Sequence, residues 1–232
     1  MKIRAKFKKF GSLKYISHLE LMNTLQRAFR RAKLPLAYSR GYNPHPRLSM
    51  GMALSVGLTG LGEYFDVELE QEIEPGLFIK RANKCLPHGL EILRARKIPD
   101  RLKSLMAQVD TAMYRVEMDF DGKIDGRSII KDFLSRQEIR IIRKRRKKKD
   151  KEINIRPLIK GIEIEEDNIW LFTVSTGSRG NLRIEELIRA LVENYNNVNE
   201  VPLTKITRIG LYVTKNGNLY ELIDDHVVEA DS

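Results

Sequence analysis

The stretch Lys2-Ile-Arg-Ala-Lys-Phe-Lys8, followed at Ser17-His-Leu-Glu20 by a change of hydrophobic period, decides the fold class of this 232-residue chain. In the first segment Ile3, Ala5 and Phe7 alternate with Lys2, Arg4, Lys6 and Lys8. A period of two puts successive side chains on opposite faces of a strand. Gly11-Ser12 marks a turn. Ser17 and Glu20 then stand at capping-box spacing, in which the hydroxyl and the carboxylate each accept from the other residue's amide. Beyond them Met22, Leu25, Phe29 and Ala32 fall on one helical face, with Arg27, Arg30 and Arg31 opposite. Leu34-Pro35 ends the helix, because the residue before proline is pushed out of the helical region.

The same alternation of periods continues outward. Residues 38–47 (Tyr-Ser-Arg-Gly-Tyr-Asn-Pro-His-Pro-Arg) are too rich in glycine and proline for a regular element. Residues 48–56 and 63–70 read as strands, 74–86 as a short helix opened by Glu74-Pro75, and 90–96 as a strand. That is a β-α-β-β-α-β order, the ferredoxin-like plan. The second half repeats it loosely: a strand over 111–119, a helix from Asp125 to Leu134, a hairpin arm over 138–155, strands over 161–166 and 169–176, a helix capped by Asn181, and a closing strand over 205–214. The expected fold is therefore α+β, two tandem ferredoxin-like (βαββαβ) domains. They occupy residues 1–97 and 111–232, with a linker at 98–110 and a basic arm at 140–151.

Charge is segregated along this plan. Residues 1–48 hold twelve Lys and Arg against one acid, Glu20, and residues 140–151 hold nine against Asp150. The whole chain carries +11, so everything else is net acidic. Fields with a direction collect polyanions, and clustered Lys and Arg gain affinity for nucleic acid by releasing condensed counterions. In the 38–47 loop, Tyr38, Tyr42 and His45 interleave with Arg40, Asn43 and Arg47, a composition suited to stacking unpaired bases and holding phosphates. The ferredoxin-like sheet is expected to offer an open face beside it. Arg143, Lys144, Arg145, Arg146, Lys147, Lys148 and Lys149 form a run of seven cations that suits a groove of structured RNA but reads no bases. Thr176-Gly-Ser-Arg-Gly-Asn181 lacks the ending of a P-loop and reads as a plain strand-to-helix turn.

Other chemistries find little support. The single cysteine, Cys85, falls on an apolar helix face as a structural thiol, and the four histidines lack metal-ligand spacing, so no metal or cofactor is expected. His18 and His45 are the candidate catalytic residues, as acid and base of a metal-independent endoribonuclease, if the fold joins them. No run of eighteen apolar residues and no signal-peptide core is present, which points to the cytoplasm and away from membranes.

Four strings stand in order: Ile16-Ser-His-Leu-Glu20, Arg27-Ala-Phe-Arg-Arg-Ala32, Leu34-Pro-Leu-Ala-Tyr-Ser39 and Gly41-Tyr-Asn-Pro-His-Pro46. Together they resemble the bacterial radical-SAM-linked protein family, a domain of unknown function encoded beside or fused to cobalamin-type radical-SAM proteins. The resemblance implies an accessory role in RNA modification and a radical-SAM partner, and transfers no catalytic residue. The chain has no CxxxCxxC triplet, so such chemistry would belong to the partner. The expected function is an RNA-binding accessory protein that presents ribosomal or transfer RNA to that enzyme. The alternatives are the His18/His45 endoribonuclease and a scaffold that binds the enzyme without touching RNA.

Overall fold

A computed structural model describes residues 1–144, 149–178 and 180–229. In chain order the elements are β1 (Lys2–Lys9), α1 (His18–Arg31), β2 (Leu48–Met50), β3 (Thr59–Glu68), α2 (Pro75–Cys85), β4 (Leu90–Ile98), α3 (Leu105–Gln108), β5 (Thr111–Glu117) and α4 (Gly126–Ser135). They continue as β6 (Arg140–Arg143), β7 (Lys151–Asn154), β8 (Ile159–Glu166), β9 (Ile169–Ser175), α5 (Ile184–Asn194), β10 (Ile206–Lys215), β11 (Asn218–Glu221) and α6 (Asp225–Val228).

The architecture is mixed α+β around a mostly antiparallel sheet. Its strands run β4-β1-β3-β10-β5-β9-β8, with β2 added to β3 and β11 to β10. The parallel contact is β3 with β10, where Thr59 and Gly60 face Thr207 and Arg208. The two halves of the chain thus share one sheet, joined at its centre. β6 and β7 make a separate two-stranded ribbon.

Each half has its own apolar core. In the first, Ile3, Ala5 and Phe7 of β1 meet Leu25 and Phe29 of α1, Phe65 of β3 and Phe78 of α2. The Phe29 ring lies 5.5 Å from Phe65 and 5.7 Å from Phe78, which locks both helices to the sheet and to each other. In the second, Trp170, Phe172 and Val174 of β9 pack with Phe133 of α4 and Leu187 and Leu191 of α5. The capping box of α1 forms as its spacing requires, with the Ser17 amide donating to Glu20 at 2.8 Å. Asp125 likewise caps α4 and Glu74 caps α2.

Several boundaries differ from the sequence reading, each for a local reason. β2 stops at Met50 because β10 takes the rest of that edge of β3. The buried stripe of α1 is Leu21, Leu25, Ala28 and Phe29, with Met22 and Ala32 only half-buried. α5 begins at Ile184 with Arg183 in the cap position, so Asn181 is not its cap. Instead Asn181 accepts from the Thr176 hydroxyl at 3.0 Å. Residues 98–110 contain α3, and Leu102, Leu105 and Val109 are buried. The sequence reading omitted β11 and α6.

The polar face of β1 is not open. Arg4 is fully buried, bonded through Nε and Nη2 to Asp66 at 2.8 and 3.0 Å, and through Nη1 to Gln108 at 2.6 Å and the Leu222 carbonyl at 3.1 Å. Lys6 and Arg94 pair with Glu221, and Arg96 pairs with Asp225 and Glu229. The C-terminal segment carrying β11 and α6 therefore lies across this face. Its carboxylates, far from β1 in sequence, neutralise cations that the alternation alone would leave in solvent.

Candidate nucleic-acid interface

The candidate surface for a polyanion is formed by α1, α2 and the loop after α1. Residues 36–47 form a narrow two-stranded projection. Leu36 bridges to Leu69 at its base, Tyr38 bridges to Pro46, and the Ser39 and Arg47 amides donate to the His45 and Ala37 carbonyls at 2.9 and 2.8 Å. Gly41 turns the tip at φ +141°, a conformation closed to side-chain-bearing residues. Pro44 and Pro46 stiffen the return limb. Arg40, Asn43 and His45 are exposed, and Tyr42 is 100% exposed. A fully solvated tyrosine on a rigid tip gains nothing from the core and has a free ring face for stacking. Tyr38, 42% exposed, sits lower on the same projection.

On α1 the Arg27, Arg30 and Arg31 side chains face solvent. Arg31 donates to the Cys85 carbonyl at 2.7 Å, a bond that ties the last turns of α1 and α2 together and complements the α2 dipole. Cys85 is half-buried and free. The bond brings α1 alongside cations that the sequence reading did not single out: Lys80, Arg81 and Lys84 of α2, all exposed. Their signal lay in the helical period itself, since Phe78 and Ala82 point inward and fix the opposite face. Carboxylates are sparse here. Glu20 and Glu74 are both engaged at helix N-termini, and the Ser17 bonds hold Glu20 below the usual carboxylate range.

Two other expected contact residues, Arg47 and Arg143, have carboxylate partners. Arg47 pairs with Glu68 at 2.6 Å, both half-exposed, so its charge is partly offset. Arg143, expected in the free arm, is bonded through Nε to Glu186 at 2.7 Å and through Nη2 to the Asn181 carbonyl at 3.0 Å. Arg140 is held between Glu138 and Glu152 at 2.8 and 2.9 Å. Lys144 and Lys149 are exposed. Arg145, Arg146, Lys147 and Lys148 lie outside the described residues. His18 is exposed at the start of α1, and His45 belongs to the projection beyond its other end. A helix of fourteen residues, roughly 20 Å long, runs between His18 and the start of that projection.

The sequence reading also missed the buried ion pairs. Besides Arg4 with Asp66, Arg208 of β10 joins Glu63 of β3 through Nε at 2.8 Å and through a second bond from Nη2. Among the described residues, no helix is long and apolar enough to cross a membrane.

Fold and surface together define a mixed α+β protein with a cation-lined helical layer and an aromatic-tipped projection. A family model described as an uncharacterized protein conserved in bacteria (DUF2344) matches residues 2–184, and the chain belongs to that family. No curated protein matches it. Similar solved structures include the archaeal box H/ACA sRNP Nop10-Cbf5 complex, at TM-score 0.46 and 13% identity over 89% of this chain and 46% of that one. A Cbf5-Nop10-Gar1 complex gives 0.47 at 13% identity over 89% and 47%. An H/ACA RNP bound to a substrate RNA containing 2'-deoxyuridine gives 0.44 at 13% identity over 91% and 47%. The chain spans about half the length of these proteins, and likeness of this degree says nothing of function.

Proposed function

We propose that this chain is an RNA-binding accessory protein whose interface is the outer face of α1 and α2 with the 36–47 projection. The observation that carries the reading is the coincidence of exposed Arg27, Arg30, Arg40, Lys80, Arg81 and Lys84 with the solvated Tyr42 ring, where acids are few. The cations hold phosphates, Tyr42, Tyr38 and His45 stack or contact unpaired bases, and Asn43 supplies hydrogen bonds. Lys144 and Lys149 extend the same chemistry at the second half. The strand orders β4-β1-β3-β2 and β10-β5-β9-β8 support reading each half as a ferredoxin-like unit, divided at residues 98–110. The sequence resemblance to radical-SAM-linked proteins supports a modifying enzyme of that class as the partner to which RNA is presented.

Filter binding of ribosomal and transfer RNA across a salt series tests this. Affinity is expected to fall steeply with salt, as counterion release requires. A flat response, or unchanged affinity in an Arg27→Ser/Arg30→Ser/Lys84→Ser variant, rejects the reading. Copurification of a radical-SAM protein from RNase-treated lysate, without RNA before treatment, would move the assignment to a protein scaffold.

A further inference from the structure

At the join between the halves, where β3 meets β10, a cleft of about 280 Å³ opens. Residues 52–55 form one wall, the turn entering α5 forms the other, and Tyr114 and Arg208 line it. Arg208 is 2% exposed. Its guanidinium binds Glu63 twice and also donates to the Met52 carbonyl at 2.7 Å and the Ala53 carbonyl at 3.3 Å. Lys9 of β1 is also 2% exposed. It feels the attraction of Glu63 and the repulsion of Arg208, and its ammonium makes one long bond, 3.4 Å, to the Lys14 carbonyl.

Glu63 is ion-paired with Arg208, whereas Lys9, on the other side of β3, has that carboxylate only as a more distant neighbour. Two positive groups and one carboxylate in a low-dielectric interior leave an unbalanced charge, which is costly unless an anion completes the set. Burial already pushes the Lys9 ammonium below its ordinary range, with Glu63 opposing and Arg208 adding to the shift. The cleft beside this cluster has donors to spare. Tyr114 lines the cleft beside Arg208, and burial pushes its hydroxyl above the ordinary tyrosine range, so it keeps its hydrogen. Asn181 accepts through its amide oxygen and has its amide nitrogen left. Arg183 is exposed at the rim. Glu185 is the one carboxylate of the described wall.

We propose that this cleft is an anion site that takes a phosphate group, drawn by the unbalanced Lys9–Arg208–Glu63 charge and bonded by Tyr114, Asn181 and Arg183. One arginine, Arg183, together with hydroxyl and amide donors matches the several acceptor oxygens of a phosphate, and the volume leaves room for part of an attached nucleoside. The phosphate belongs either to a free nucleotide or to an RNA backbone. The site is distinct from the helical face and stands whether or not that face binds RNA.

Calorimetric titration of the full chain with inorganic phosphate, and then with uridine 5'-monophosphate, tests it. Saturable 1:1 binding is expected. Tyr114→Phe and Arg183→Gln should each weaken it about tenfold, the effect of losing one hydrogen bond to a charged group. Lys9→Met should weaken it while leaving thermal stability equal or higher, since that change removes a buried charge without breaking the Arg208–Glu63 pair. Glu185→Gln should tighten it. Absence of saturable binding, or affinities of Lys9→Met and Tyr114→Phe within twofold of the parent, overturns the proposal. Loss of phosphate binding in the Arg27→Ser/Arg30→Ser/Lys84→Ser variant also overturns it, because the ion would then sit on the helices. Competition by a short single-stranded oligoribonucleotide assigns the phosphate to RNA. Competition by the mononucleotide alone assigns it to a free ligand, and either result supports the site.

Discussion

β1 and α1 both lie within the first thirty-one residues and are both dense in cations, yet the fold uses them in opposite ways. On β1, Arg4 is buried against Asp66, and Lys6 meets Glu221 from the far end of the chain. On α1, Arg27 reaches the Thr24 hydroxyl at 3.5 Å among the described residues, and Arg30 faces solvent. The difference is set by what the neighbouring elements carry. β1 lies between β3 and β4, under a C-terminal segment rich in carboxylates, whereas α1 lies beside α2, with further cations. Basic residues thus hold the sheet together on one side and remain available to a polyanion on the other.

The largest effect that tests this contrast is on stability. Arg4→Met leaves buried Asp66 with only the long Lys2 contact at 3.9 Å and should cost about 3–5 kcal/mol, as breaking one side of a buried pair does. Arg30→Ser should stay within about 0.5 kcal/mol, the range of surface substitutions. Urea unfolding of the two variants measures both. The double change Arg4→Met/Asp66→Leu should recover much of the loss, because an apolar pair of similar volume replaces the ions. Equal, small effects for Arg4→Met and Arg30→Ser would erase the distinction between the two regions.

RNA affinity should respond in the reverse sense. The Arg27→Ser/Arg30→Ser/Lys84→Ser variant should lower the salt slope by about 0.7 for each single-strand phosphate that is no longer neutralised. A Lys6→Ser/Arg94→Ser variant should leave that slope unchanged, because Glu221 already occupies those cations. Tyr42→Ala should cost about 1–3 kcal/mol of binding, the worth of one stacked base, with no change in melting temperature. A Tyr42→Ala protein that binds like the parent would leave the projection as mere structure.

Much of the α+β plan was legible because it depends on short-range signals. The Ser17–Glu20 box, the Asp125 cap and the Phe65–Val67 alternation each fix an element within a few residues. The pairing of β3 with β10 was not legible, since it depends on which edge of β3 stays free after β2 ends. The candidate site divided the same way. Exposure of Arg27, Arg30 and Arg31 followed from the period of α1, and exposure of Tyr42 from a loop held open by glycine and proline. The neutralisation of Arg143 by Glu186 did not follow, because the partner sits forty-three residues away on another element. Periodicity assigns a face, and only the fold decides what covers it.

Lys9 is the intermediate case, buried like Arg4 but lacking a carboxylate of its own, and it gives the smallest effect. Its folded-state pKa is lowered, first by burial and further by Arg208, with Glu63 opposing. Between the folded and the unfolded value, the unfolded chain holds a proton that the folded chain has released. Stability must rise with pH between the folded value and the unfolded value of about 10.4, and lie flat below and above that window. The difference in unfolding free energy between the parent and Lys9→Met, followed in denaturant from neutral pH to about pH 10, should show this rise in favour of the parent. Saturating inorganic phosphate should move the rise to higher pH, because an anion beside the cluster favours the charged ammonium. A difference that is flat across the whole range would mean that Lys9 keeps its proton in the fold as it does in water, and that the join between the halves carries no unbalanced charge for an anion to meet.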